Sequence, residues 1–260
     1  MGTGAITGYI DVAQIALYVF WAFFAGLIYY LHRENKREGY PLENDRSGSV
    51  DVQGFPAVPS PKTYLLRDGR TVSVPNALRE ERELAAEPLG AFQGAPLEPT
   101  GNPMLDGIGP GAWAQRSDLV DTTFDGEARI VPLRAAPGFG VAGKDPDPIG
   151  LPVIGADGVT AGTVVDIWVD RAEMLFRYLE VEVAIEADGR PGTRSVLLPI
   201  NFSKIDRQRV RVRSILGSQF AYVPGLRDPD LVTLLEEDRI VAYYGGGTLY
   251  ATPERQEPLL

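Results

Sequence analysis

Val12–Leu31 (VAQIALYVFWAFFAGLIYYL) constrains this chain more than any other stretch: twenty consecutive uncharged residues in an otherwise polar, acidic sequence. At ~1.5 Å rise per residue, a helix of this length reaches ~30 Å, the thickness of a bilayer's hydrocarbon core. Tyr29 and Tyr30 fall at its exit, where amphipathic rings prefer the headgroup level, and the basic run His32-Arg33-Glu34-Asn35-Lys36-Arg37 follows at once. The ten residues before Asp11 contain neither Lys nor Arg. That asymmetry predicts an outside N-terminus over 1–11, a transmembrane helix over 12–31 and a cytoplasmic remainder. A cleaved signal peptide would need a basic n-region, a shorter apolar stretch and a small-residue cleavage site, none of which is convincing here. A buried core helix would rarely be apolar all round for twenty residues directly before a basic cluster.

The span carries its own candidate contacts. Ala22 and Gly26 are four apart with Ala25 beside them, a small-xxx-small pair at which another helix can approach closely. Gln14 could hydrogen-bond across such an interface or lie near the water boundary. Tyr29, Tyr30, Arg33, Lys36 and Arg37 form the expected lipid edge, each cation contributing about 1 kcal/mol near an anionic surface.

Composition then removes whole classes of function. A net charge of −10 and a pI near 4.7 argue against nucleic acid, whose phosphates would be repelled. There is no cysteine, hence no disulfide framework, thiolate metal site or Cys nucleophile. The single histidine, His32, lies at the membrane edge, which weighs against Ser-His-Asp chemistry and His-based metal sites. These absences are strong evidence against an ordinary hydrolase, and a metal site built on Cys or His is nearly excluded.

After the span the texture divides. Pro41–Pro110 holds ten of the 21 prolines and repeated turn signals, so an extended, largely irregular segment is expected over 32–142. Its one predicted hairpin pairs Thr63–Leu66 with Thr71–Val74 around Asp68-Gly69. Phe55, Tyr64, Leu65, Leu66, Phe92 and Trp113 are too apolar for a free tail, which suggests a segment lying against another protein surface. From 143 to 251 the pattern becomes regular β, followed by a C-terminal tail over 252–260. Thr160–Asp170 puts Val165, Ile167 and Val169 on one face and Val164, Asp166, Trp168 and Asp170 on the other. Arg177–Ile185, Arg194–Ile200 and Arg207–Arg213 alternate likewise, so a small barrel or sandwich is expected, its charges mostly a solvated face. Leu216–Tyr222 reads as a helical turn, and Val232–Leu235 with Ile240–Tyr244 as a last strand pair.

FWAFFAGLIYYLHRENKREGYPLE resembles the N-terminal anchor of the H subunit of purple-bacterial photosynthetic reaction centres. PTGNPMLDGIGPGAW (Pro99–Trp113), IVPLR (Ile130–Arg134), DPIGLPVIGADG (Asp147–Gly158), GTVVDIWVDRAE (Gly162–Glu173), RYLEVEV (Arg177–Val183), VLLPI (Val196–Ile200) and VTLLEEDRIVAYYGGGTLYA (Val232–Ala251) are similar to that family too, in order, over nearly the whole chain. The resemblance implies one transmembrane helix, an extended segment on the partner subunits and a mainly-β cytoplasmic domain built on a PRC-barrel. It implies a subunit without pigment that caps the L and M subunits, which hold bacteriochlorophyll, bacteriopheophytin, quinones, non-haem iron and carotenoid. A cytochrome subunit, light-harvesting 1 polypeptides and phospholipid are further implied neighbours, in the chromatophore part of a bacterial inner membrane.

A secondary quinone reduced by two electrons must take up protons while staying shielded from bulk water, and an acidic cap can relay them. In the family, carboxylates after the VDIWVD strand lie on the proton path. The matching residues here are Asp170 and Glu173, with Arg177 expected to hold them together and Asp166 on the same strand face. Some relatives carry two surface histidines in the segment before I-x-P-[LM]. Here Phe124-Asp125-Gly126-Glu127-Ala128-Arg129-Ile130 has none, so any entry there would fall to Asp125 and Glu127. Two readings from other classes stand beside this one: a membrane-anchored PRC-barrel adaptor without a photosynthetic role, and a single-span enzyme, against which the absent Cys and cytoplasmic His weigh. A ribosome-associated PRC-barrel would need a basic surface, contrary to the −10 charge.

Overall fold

The computed structural model describes residues 4–7, 10–40, 42, 54–66, 69–76, 82–92, 94–187 and 190–256. Asp68 of the predicted turn and parts of the two terminal stretches lie outside them. The chain forms two compact units, Met1–Glu81 with Phe92–Gly94, and Arg82–Ala91 with Ala95–Leu260.

The first unit is led by helix α1, Val12–Asn35. Asp11 caps it, its carboxylate accepting from the Gln14 amide at 2.8 Å and satisfying one of the free N–H groups of the first turn. No residue of α1 is buried. A helix apolar on every side with no protein cover is the form a bilayer accommodates, because all its backbone groups are paired internally. The helix continues four residues past Leu31, so His32 and Arg33 stand in its last turn, where cations complement the negative end of the dipole.

Two of the five lipid-edge residues are turned inward. Lys36 is only 4 % exposed; its Nζ donates to the Pro56 carbonyl at 2.5 Å and lies 5.3 Å from the Tyr40 ring centre. Arg37, 7 % exposed, grips Glu34 with two bonds of 2.9 and 3.0 Å and donates to the Ser60 carbonyl at 2.6 Å. The two cations thus fasten the chain after the helix to its C-terminal end, and Tyr29, Tyr30 and Arg33 remain exposed. Strands β1 (Lys62–Leu65) and β2 (Thr71–Val74) pair antiparallel one residue earlier than the predicted Thr63–Leu66.

The second unit opens with a short hairpin, β3 (Ala86–Pro88) and β4 (Leu97–Pro99). Its core is a curled, half-barrel sheet of seven strands. These are β5 (Ile130–Pro132), β6 (Pro152–Ile154), β7 (Thr160–Asp170), β8 (Leu175–Ala187), β9 (Arg190–Pro199), β10 (Ser203–Ile205) and β11 (Val210–Val212). The order is β10-β11-β6-β7-β8-β9, with β5 added antiparallel to the end of β7. The sheet therefore reaches back before residue 143 for one strand.

That addition explains where the alternation pattern misleads. Two bulges in the β7–β8 ladder, between Val164 and Asp166 and between Trp168 and Val169, shift which face each residue takes. Val165 is 41 % exposed, whereas Val164 packs in the main core with Ile167 and Trp168. From Asp166 to Asp170 both faces are buried, the second under Val131 and Ala136 of the β5 segment. Asp166, Asp170 and Glu180 are consequently covered rather than solvated.

Residues 232–244 do not form the expected strand pair; Leu234–Tyr250 is helix α2. Thr233 and Glu236 form a reciprocal capping box, the Thr233 hydroxyl accepting from the Glu236 amide at 3.2 Å and the Glu236 carboxylate from the Thr233 amide at 2.8 Å. Ile240, Tyr243, Tyr244 and Gly247 are buried at spacings of three and four, the period of a helix. The β-branched and aromatic residues favour strand locally, but cap and period prevail. The segment before β5 is clamped to α2: the guanidinium groups of Arg82 and Arg239 lie 3.6 and 4.4 Å from the centre of the Trp113 ring, and the Ala114 amide donates to Asp238 at 2.8 Å. The turn predicted at Leu216–Tyr222 is a 3-10 helix over Gly217–Tyr222.

Candidate functional site

Strand β7 ends at Asp170, where the chain must reverse into β8. The Asp170 carboxylate closes this turn by accepting from the amides of Ala172 and Glu173, both at 3.0 Å. Met174 completes it in the left-handed conformation (φ 55°). The pairing of Ile130 with Asp170 brings Arg129, the residue before β5, to the same place. Its Nε donates to both Asp170 oxygens at 3.0 and 2.9 Å, its Nη1 to Asp121 at 3.2 Å, and its Nη2 to Glu173. One guanidinium therefore gathers three carboxylates, as its planar fork of donors permits.

Glu127 joins this edge through Arg171, whose Nη1 lies 2.8 Å from Glu127 Oε2 and whose Nε donates to the Ala128 carbonyl. Asp125 stands at the exposed tip of the turn closed by the Thr123 carbonyl and the Gly126 amide. Phe124 beside it is 98 % exposed. Asp125, Glu127, Asp170 and Glu173 thus run from the tip of one turn to the base of another. Asp170 is the buried member and Glu173 the half-exposed one.

Arg177 does not hold this cluster; Arg129 does. The β7–β8 ladder pairs Trp168 with Tyr178 and Val169 with Phe176, so Arg177 is the extra residue of a bulge. A bulge re-aims its side chain, here towards α2, where Arg177 Nη2 lies 3.8 Å from Glu237. The Tyr178 hydroxyl donates to the same Glu237 oxygen at 2.7 Å. Asp166 belongs to a third group: Arg134 Nη1 bridges Asp166 (2.9 Å) and Glu180 (2.7 Å), and the Trp168 indole donates to Glu180 at 3.0 Å.

These settings move the acid strengths in opposite directions. Burial pushes the Asp170 carboxyl up, but the Arg129 guanidinium and the Glu173 and Ala172 amides outweigh it and hold Asp170 below the usual carboxylate range. Arg129 is correspondingly raised, foremost by Asp170. At Glu237 burial wins: the carboxyl is pushed up against the opposing pull of the Tyr178 hydroxyl and Arg177, and the Asp121 carboxylate adds to the rise. Asp170 is thus a fixed negative charge, while Glu237 is a buried carboxyl with an affinity for a proton. Arg129 cannot itself give up a proton, so movement through such a cluster passes between carboxylates. Among the described residues no group of three or more His, Cys, Asp or Glu side chains is arranged to hold a metal ion.

Sequence reasoning missed Arg129, Asp121 and Glu237. Arg129 directly precedes the IVPLR stretch, yet a three-residue strand has no periodicity to reveal what it pairs with.

In the helix, Gly26 has open space around it and Ala22 is exposed. The pair is available to a neighbouring helix.

Comparison with known families matches residues 4–135 to the photosynthetic reaction centre, H-chain N-terminal region, and residues 143–219 to the PRC-barrel domain.

Proposed function

The chain belongs to the photosynthetic reaction centre H-chain family, and from that premise we propose how this membrane-anchored subunit serves its complex. It caps the cytoplasmic face of the L and M subunits, carries no pigment of its own and supports their assembly. The pigments, quinones and iron stay with those partners, and residues 32–260 face the cytoplasm while 1–11 face outward. The capping reading is supported by the absence of any buried residue on α1 and by exposed apolar side chains at Phe55, Leu65, Phe92 and Leu97, which a partner surface would cover.

Beyond capping, the subunit assists proton delivery to the secondary quinone. The observation that carries this is the gathering of Asp121, Asp170 and Glu173 by Arg129. Asp125 and Glu127 collect protons from solvent at the exposed turn. Glu173, half in water beside the buried Asp170, passes them on, and the fixed charge of Asp170 steadies the proton in transit.

An affinity tag on this chain tests the partnership. Complex purified through it in mild detergent is expected to carry the near-infrared bands of bacteriochlorophyll together with extractable quinone. Recovery of the intact chain free of both would leave a membrane-anchored PRC-barrel adaptor in place of a reaction-centre cap.

A further inference from the structure

On a chain of net charge −10, strands β10 and β11 carry the opposite sign. Residues 203–214 hold Lys204, Arg207, Arg209, Arg211 and Arg213 against the single carboxylate of Asp206. The antiparallel register sets Lys204 directly opposite Arg211. Side chains so placed leave the strands ~5 Å apart at Cβ, and like charges there destabilise the pair. Asp206 relieves this only in part. Its carboxylate is 3.4 Å from Arg211 and 3.9 Å from Arg209, and it also accepts from the amides of Gln208 and Arg209.

Lys204, Arg211 and Arg213 line an open cleft of about 690 Å³, walled further by Ser214, Thr248 and Arg255. Arg255 is fixed in the wall, donating to the carbonyls of Ser214, Gly247 and Arg213. Ser214 is 4 % exposed, and its hydroxyl oxygen is buried without a hydrogen-bond partner.

We infer that this cleft binds a phosphate-class oxyanion. A tetrahedral anion between Lys204 and Arg211 turns a repulsive cross-strand pair into two charge-assisted contacts, and a further oxygen serves Arg213. Guanidinium forks suit a phosphoryl group because two of its oxygens accept in parallel. Inorganic phosphate and the phosphodiester of a lipid headgroup share this chemistry. The site is independent of the carboxylate cluster on β7 and of any proton relay there.

The test is calorimetric titration of the full chain in detergent with inorganic phosphate and, in a second arm, with glycerophosphoglycerol, the deacylated headgroup of an anionic phospholipid. Saturable binding of at least one probe is expected, weakened about tenfold by Lys204→Gln and by Arg211→Gln, as befits loss of one charged hydrogen bond. Tighter binding of inorganic phosphate would identify the free anion as the ligand, and tighter binding of the diester a lipid headgroup; either supports the site. Absence of saturable binding by both probes would overturn it, as would affinities that Lys204→Gln and Arg211→Gln both leave unchanged.

Discussion

Arg129 carries more of the site than any acidic residue in it, since it orders three carboxylates that would otherwise repel one another. Asp170 answers with a buried side chain whose pKa is held below the ordinary carboxylate range, foremost among the lowering causes by the Arg129 guanidinium. A carboxyl with a depressed folded pKa contributes stability above its unfolded pKa and loses it as pH falls through the folded value. Asp170→Asn removes that contribution and leaves the guanidinium without its principal partner, at a cost of about 3 kcal/mol near neutral pH. Thermal unfolding across pH should show the variant well below wild type at neutrality, the gap closing in acid as wild type loses its own advantage. A gap constant with pH would mean that the ionised form is not what stabilises the fold. Asp170 and Glu173 were legible in the sequence because their stretch is similar to the family's. Arg129 was not: its bonds to them span 41 and 44 residues, and no local spacing encodes such a contact.

At the scale of elements, α2 is fixed by close approach. Its glycines bring it against two backbones: a methyl group added at Gly245 would lie 2.8 Å from the Pro110 carbonyl oxygen, and at Gly247 2.6 Å from that of Ser214. Neither backbone can yield cheaply, so Gly247→Ala is expected to destabilise by about 1–3 kcal/mol in denaturant unfolding. Gly192→Ala, where the nearest atom is an Ile185 side-chain carbon at 3.8 Å, should be nearly neutral and serves as the control. Equal effects at the two positions would remove the packing argument. The three glycines also explain why this helix was hidden, since consecutive glycines and Tyr-rich residues argue against helix by propensity alone. The strands from Thr160 to Pro199 were legible because they are long enough to show a period of two. Their bulges were not, and the bulges decide which charges are buried. The apolar N-terminal helix was legible, because length and lack of charge are properties of composition. The inward turn of Lys36 and Arg37 depends on carbonyls twenty or more residues away and left no local trace.

At the scale of the whole molecule, the account is of an anchored acidic subunit in a reaction centre. Protease added to right-side-out vesicles should leave residues 32–260 intact, because the basic residues follow the span and do not precede it. Digestion of the large domain from that side would reverse the proposed orientation. The relay makes a sharper demand. In the proposed role, charge separation takes place among pigments held by other subunits, whereas the second electron transfer to the quinone waits for a proton. Glu173→Gln keeps size and hydrogen bonding but cannot ionise. The measurement is the flash-induced rate of that second transfer in the variant complex, over a range of pH, with and without a small weak acid such as formate. The account predicts normal charge separation and a second transfer slowed by about a hundredfold, the scale of losing one positioned acid–base group, and restored by the acid. A rate unchanged from wild type at every pH would contradict it.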